Sequence, residues 1–320
     1  MAKHHQARVS IGIPVYNGEA YLAETLKSIL GQTYSDFEVV ISDNGSVDRT
    51  KEICEEFAVK DHRIRYFRNV ENIGVAPNYN RVFELSSGEY FKWADYDDLI
   101  APEFIEKCVE VLDNDSGVVV SCPSVKLIDQ NGEIIENYDP KPDASSPKPH
   151  IRFRNLLLHH DHRMAQLSGL MRRSVLEQTV LHGSYPCSDE VLMANLGLFG
   201  YFHVLSERLF LIRLHPNQSF RGVLASERAR VSFFDVSLEG KAVPIKWLYF
   251  KNCLHAINSA PLGLVQRAFC YAYMVQWLTR RQNFRSFVKD MLLLVHEHVP
   301  LFSRLYGETV AQTTEKHHYR

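Results

Sequence analysis

Between Arg8 and Ala94 the chain switches repeatedly between short apolar runs and stretches whose apolar residues recur at helical spacing, and this alternation constrains the fold more than any other feature. Arg8 to Pro14, Phe37 to Ser42, Arg63 to Phe67 and Glu89 to Ala94 read as strands. A helix lies between each pair: one with Leu22, Leu26, Ile29 and Leu30 on its inner side, one at Val47 to Ala58, and one at Asn78 to Leu85. Short strands that are apolar on both faces need cover on both faces, which a mainly parallel sheet flanked by helices provides. The expected fold is therefore α/β, doubly wound.

After a helix at Pro102 to Leu112, runs at Gly117 to Cys122, Val125 to Ile128 and Glu133 to Ile135 read as strands, the last two joined by an Asn131-Gly132 turn. Four prolines among polar residues make Asp139 to Pro149 a flexible surface loop. Beyond it the pattern predicts a helix from Ile151 to His160, a strand near Gln166 to Met171, a helix at Asp189 to Leu198, and strands at Tyr201 to Leu205 and Leu209 to Arg213. Past Phe220 the chain reads as helical, which divides it into residues 1–220 and a C-terminal region, 221–320.

The formal net charge of −2 excludes an overall electrostatic case for nucleic acid. The charge is nevertheless uneven, with eleven Lys and Arg against four Asp and Glu from Lys241 onward. Basic residues beside Trp247, Tyr249, Phe250 and Trp277 raise the expectation of peripheral contact with an anionic membrane through 241–320. No signal peptide or membrane-spanning run is evident, and six cysteines without CxxC spacing read as free thiols, so a cytoplasmic protein is expected.

Ligands of open parallel sheets bind at the strand carboxyl ends. Three such ends carry polar groups: Pro14-Val15-Tyr16-Asn17, Asp43-Asn44-Gly45-Ser46 and Asp95-Tyr96-Asp97-Asp98. Neither a GxGxxG nor a GxxxxGK[ST] phosphate cradle is present. Three carboxylates within four residues repel one another unless a cation neutralises them. Mn²⁺ or Mg²⁺ with a diphosphate suits that need, although Asp98 also suits the start of the next helix. Asp43 either accepts from a nucleobase imide or bonds the turn backbone at Gly45 or Ser46, and Asp48 reads as a helix cap. Tyr16 lies against a base or simply packs.

The runs Val9 to Glu19, Val39 to Asp48, Asn72 to Asn78 and Gly88 to Asp98 together resemble family 2 glycosyltransferases of the inverting, GT-A type, over roughly residues 8 to 220. That resemblance implies a GT-A-like fold, with Asp43 as the base-binding aspartate and Asp95 with Asp97 as the pair at the ribose and the metal-bound diphosphate. Pro14, Tyr16, Asn17, Asn72 and Asp98 join the donor site. Cys187 to Leu196 resembles the segment that carries the general base, which places Asp189 in that role with Glu190 beside it. Arg213 to Ser219 resembles the segment that brings a histidine, His215, to the metal. Ser168 to Arg173 resembles the acceptor-side strand, where Gly169 allows close approach of a sugar and Arg172 faces charge, with ordinary strand packing the other reading for both. His159, His160, Asp161 and His162 are too closely spaced for one tetrahedral zinc and read as a polar loop.

The implied activity is inverting transfer of a sugar, a hexose in particular, from a metal-bound nucleotide diphosphate sugar. The acceptor would be a hydroxyl on a carbohydrate or lipid-linked molecule in polysaccharide or glycoconjugate synthesis. A nucleotidyltransferase would share the sheet and the carboxylates, but its Gly-rich basic loop is missing. A nucleotide-sugar-binding protein without turnover is the other alternative.

Overall fold

A computed structural model describes residues 6–141, 143–158, 165–216 and 227–298. The first seven elements follow the expected alternation: β1 (Val9–Val15), α1 (Leu22–Leu30), β2 (Phe37–Asp43), α2 (Thr50–Lys60), β3 (Ile64–Arg68), α3 (Val75–Glu84) and β4 (Tyr90–Trp93). β5 (Leu99–Ile100), α4 (Phe104–Asn114), β6 (Val118–Ile128), β7 (Ile134–Tyr138), α5 (Pro149–Leu158), β8 (Leu170–Arg172), α6 (Arg173–Leu176), α7 (Ser188–Phe199) and β9 (Tyr201–Arg213) complete the α/β part. Helices α8 (Glu227–Phe234), α9 (Ile245–Ser259), α10 (Leu264–Thr279) and α11 (Arg281–His298) follow.

The nine strands form one sheet in the order β3-β2-β1-β4-β8-β6-β9-β5, with β7 beside β6. β1 pairs in parallel with β2 and β4, and β2 with β3. β8 enters antiparallel between β4 and β6. The half of the sheet made of β1 to β4 is thus purely parallel and the other half mixed.

Every residue of β1 and β2 is buried, because one apolar core lies on each face of the sheet. Leu22, Leu26 and Ile29 of α1 join Phe104, Ile105 and Leu112 of α4 on one side. Val82 and Phe83 of α3 join residues of α5, α7, α9 and α10 on the other. Each fully buried Leu, Ile or Phe contributes about 1.5–3 kcal/mol, so both cores are substantial. Tyr249, Cys253, Met274 and Trp277 belong to the second core, so the C-terminal helices continue it. The expected boundary at 220 lies outside the described residues.

Several local expectations change. Val118–Ile128 and Tyr201–Arg213 are each one strand rather than two, because register irregularities around Pro123 and Ser124 absorb the missing proline N–H without ending the ladder. Ala165–Ser168 is a 3₁₀ turn, so the strand expected from Gln166 shrinks to β8. The proline-rich loop is anchored: Ala144 is buried and its carbonyl accepts from Phe202 N–H at 3.0 Å. Its last proline, Pro149, opens α5, where a missing N–H costs nothing. All six cysteines are free. No described helix is long and apolar enough to cross a membrane.

Candidate functional site

The carboxyl ends of β1 and β2 are tied into one ledge. Asn17 adopts a left-handed conformation, φ 53°, that turns the chain after β1. Its N–H donates to Ser46 Oγ at 2.9 Å and its Oδ1 accepts from Val47 N–H at 3.0 Å. Gly18 N–H donates to Thr50 Oγ1 at 2.8 Å, and Asp48 Oδ2 accepts from Glu19 N–H at 2.9 Å. Asp48 Oδ1 also accepts from Thr50 N–H at 3.0 Å, so this residue steadies the start of α2 and the β1 loop together. Tyr16 stands exposed on the ledge, while Pro14 lies beneath it, paired with Ser42.

Asp43 is fully buried at the end of β2. Its Oδ1 accepts from Ser46 N–H at 2.8 Å, the turn contact, and its Oδ2 accepts from Tyr66 Oη at 2.9 Å and Arg68 Nε at 3.1 Å. An ionised carboxylate offers about four lone-pair sites, so acceptor capacity remains. Gly45 needs to be glycine: its φ is +75° and a Cβ would meet the Glu71 carbonyl carbon at 2.9 Å. Asn72 closes the ledge, its Oδ1 accepting from Asn44 Nδ2 at 2.9 Å and from Gly74 N–H at 2.8 Å.

The next strand, β4, delivers the acidic trio. Asp95 accepts from Tyr79 Oη of α3, Asp97 Oδ2 lies 2.8 Å from His215 Nε2, and Asp98 Oδ1 accepts from Arg213 N–H at 2.9 Å. Burial, then the neighbouring Asp97 charge, raises the Asp95 carboxyl above its ordinary range. The same causes, joined by Asp95, push Asp98 up further. Arg213, fully buried, bonds Asp97 O at 2.9 Å, Gln130 O at 3.3 Å and Glu24 Oε2 at 2.7 Å. It thereby fixes the loop on which Asp97 and His215 meet. Lys92 is buried beneath the trio, donating to Trp93 O at 3.1 Å and to Ser168 O, and burial lowers its pKa to about 8.

On the far side of α3, Asn80 and His182 exchange reciprocal bonds. Asn80 Nδ2 donates to His182 O at 2.9 Å, and His182 N–H donates to Asn80 Oδ1 at 3.0 Å. This clamps the segment leading into α7, whose second residue is Asp189. Cys187, left-handed at φ 67°, makes the turn into the helix. Glu190 is pushed up to about 7, by burial first and then by the Asp189 charge, against the lowering influence of Lys246. Tyr249 Oη from α9 lies 3.4 Å from Glu190 Oε2, so a C-terminal helix backs this acidic pair.

Two acceptor-side expectations are redirected. A Cβ at Gly169 would meet Ser121 O at 2.9 Å, so that position serves the close approach of β6. Arg172 donates to Val118 O at 2.8 Å and Asp115 O at 3.0 Å, stitching β8 to the end of α4 instead of facing an external charge. The cluster His159 to His162 lies outside the described residues. Sequence reasoning missed Tyr79, His182, Lys92 and the side-chain role of Arg213. Only Lys92 carried a local signal, a charge inside an otherwise apolar strand.

Among the described residues no group of three or more His, Cys, Asp or Glu is placed to hold a metal unaided. Asp97 with His215 nevertheless suits Mn²⁺ or Mg²⁺, ions that complete their shells with water and phosphate oxygens. The crowding of two further carboxylates, Asp95 and Asp98, beside that pair favours a cation in the same place.

A family model described as Glycosyl transferase family 2 matches residues 10–180. An uncharacterized glycosyltransferase of Haemophilus influenzae is 29% identical over 223 residues, covering 66% of this chain and 67% of that protein. A second, from Rickettsia typhi, is 32% identical over 193 residues, with 60% of this chain and only 53% of the relative covered. Residues 1–349 of TarS from S. aureus superpose with a TM-score of 0.61 at 18% identity, covering 86% of this chain and 73% of that one.

Proposed function

The chain belongs to glycosyl transferase family 2, and from that premise we propose that it moves a sugar, with inversion, from a nucleotide diphosphate sugar onto an acceptor hydroxyl. The carrying observation is the convergence of three neighbouring strand ends: Tyr16 and Asn17 after β1, Asp43 closing β2, and Asp95 to Asp98 after β4, with Asp97 2.8 Å from His215. Asp43 and Tyr16 hold the base, Asn72 supports that loop, and Asp95 and Asp98 flank the ribose and diphosphate. Residues 1–220 form the catalytic unit, with 221–320 appended to it.

Asp97 and His215 would hold Mn²⁺ or Mg²⁺, which would supply positive charge to offset the negative charge of the leaving diphosphate. The acceptor oxygen forms its bond to the anomeric carbon from the side opposite the diphosphate. The bond from that carbon to the phosphate oxygen breaks, and its electron pair leaves with the nucleoside diphosphate. Asp189 takes the proton of the acceptor hydroxyl. A carboxylate of ordinary basicity suffices, because the proton becomes acidic only as the new bond forms. Glu190 is the second reading for the base, favoured by its pKa of about 7.

TarS structures of this fold hold UDP and UDP-GlcNAc, so uridine diphosphate sugars are the first donors to try. Asp189→Asn should lower turnover by about 10²–10⁴-fold while donor binding persists. Asparagine has nearly the shape and volume of aspartate, so the fold is kept while the proton acceptor is removed. Near wild-type transfer by Asp189→Asn, with loss in Glu190→Gln, would move the base to Glu190. Absence of transfer from every nucleotide sugar tried, despite donor binding, would favour a binding protein.

A further inference from the structure

Among the described side chains of α10 and α11, the outward face carries no acidic group. On α10, Leu264, Ala268, Tyr271, Ala272 and Val275 are exposed along one side, with Val265 and Phe269 next to them. Leu264 is 86% exposed, Val265 70% and Val275 60%, values foreign to an ordinary solvated helix face. The helix carries one charge in all, Arg267.

α11 continues this surface in two rows at four-residue spacing. Phe284, Val288 and Leu292 form an exposed apolar row, and Arg281, Arg285 and Lys289 an exposed basic row beside it. Its Asp290 is turned inward, where it accepts from the backbone N–H groups of Lys246 and Trp247 at 2.6 and 3.1 Å. α10 packs on α5 and α9, with Phe269 stacked on His150 and Tyr271 Oη donating to Asn258 Oδ1 at 2.6 Å; α11 packs on α9 and α10, and the open faces lie away from these contacts. Between Lys241 and His298 there are eight basic residues against two acidic ones.

We propose that the open faces of α10 and α11 seat the protein in the headgroup region of an anionic lipid bilayer. An apolar stripe beside a basic row is how a helix lies in the plane of such an interface, apolar atoms toward the acyl chains and cations toward phosphate. A second copy of this chain is the poorer occupant, since its basic row would meet its own kind. The acceptor-side acids Asp189 and Glu190 are backed by α9, the helix on which both these helices rest. α9 therefore stands between the lipid-facing helices and these acids, and the seating does not depend on the proposed sugar transfer.

The test uses the full chain without donor, mixed with phosphatidylcholine vesicles or with vesicles of equal parts phosphatidylcholine and phosphatidylglycerol, and read by flotation. Binding is expected to the anionic vesicles, to weaken with salt, and to be slight on phosphatidylcholine alone. Arg281→Glu with Arg285→Glu should weaken it about thirtyfold or more. Val265→Asp with Val275→Asp should abolish it, and both pairs, being exposed, should leave the melting temperature and circular dichroism unchanged. No flotation of the wild type, or equal flotation of all variants, overturns the proposal. So does concentration-dependent dimerisation that Val265→Asp with Val275→Asp removes, which would assign the face to a second copy. Because no sugar transfer is measured, a failure here is separable from a failure of the glycosyltransferase reading.

Discussion

Glu190→Gln should stabilise the folded protein by an amount that grows with pH. The native carboxyl is raised from 4.5 to about 7 by burial and by Asp189. Between these values the folded state holds a proton that the unfolded state has released, so stability falls as pH rises through this window. The loss begins near 4.5 and is complete once pH exceeds the native value. At about 1.4 kcal/mol for each pKa step, the full effect is about 3 kcal/mol, an upper bound because Lys246 and local water relax the buried charge. Glutamine stays neutral throughout and still offers Tyr249 an acceptor. Asp61 and Asp113, held below their ordinary range by arginine partners, stabilise wild type as pH rises, so only the difference between the two proteins isolates Glu190. Urea unfolding of both proteins from about pH 5 to 8 gives that difference. A difference that is flat with pH, or that shrinks as pH rises, would refute the placement of Glu190 in a low-dielectric site.

Asp97→Asn should weaken donor affinity in the presence of Mn²⁺ more than tenfold in order of magnitude, with little loss of stability because it relieves repulsion on Asp95. Calorimetry with and without EDTA checks this, and equal donor affinity of wild type in both conditions would remove the metal from the site. Arg213→Met should cost about 3 kcal/mol in urea unfolding, since it strips the donors from Asp97 O and Gln130 O at a fully buried position. A cost below about 1 kcal/mol would show that the loop is held by other means.

The parallel half of the sheet was legible because its physics is local. β1 and β2 are mostly apolar along their buried length, and the polar residues that end them mark the ledge directly. Bulges hid the continuity of β6 and β9, because Pro123 reads as a strand breaker when only its own chemistry is considered. The acidic trio was legible as a concentration of like charge. Apart from His215, its partners were not. Tyr79 meets Asp95 across a helix–strand contact, and Arg213 reaches back to Glu24 across most of the chain. At Gly169 the sequence left close approach of a sugar and strand packing both open, and the space beside it is taken by the Ser121 carbonyl of the adjacent strand.

The neighbouring residues Tyr79 and Asn80 have a practical consequence for anyone recombining relatives of this chain. One grips Asp95, and the other fastens the backbone at His182, six residues before the bend at Cys187 is complete and α7 is under way. A chimera that imports a new acceptor segment across 181–199 therefore inherits a fastening meant for a different helix unless α3 travels with it. Losing the Asn80 contact would leave His182 N–H and its carbonyl unmatched in a buried place, and Asp189, the proposed base, would drift relative to the ledge at β1 and β2. Segment exchange at this fold is best cut so that 75–84 and 181–199 come from one parent.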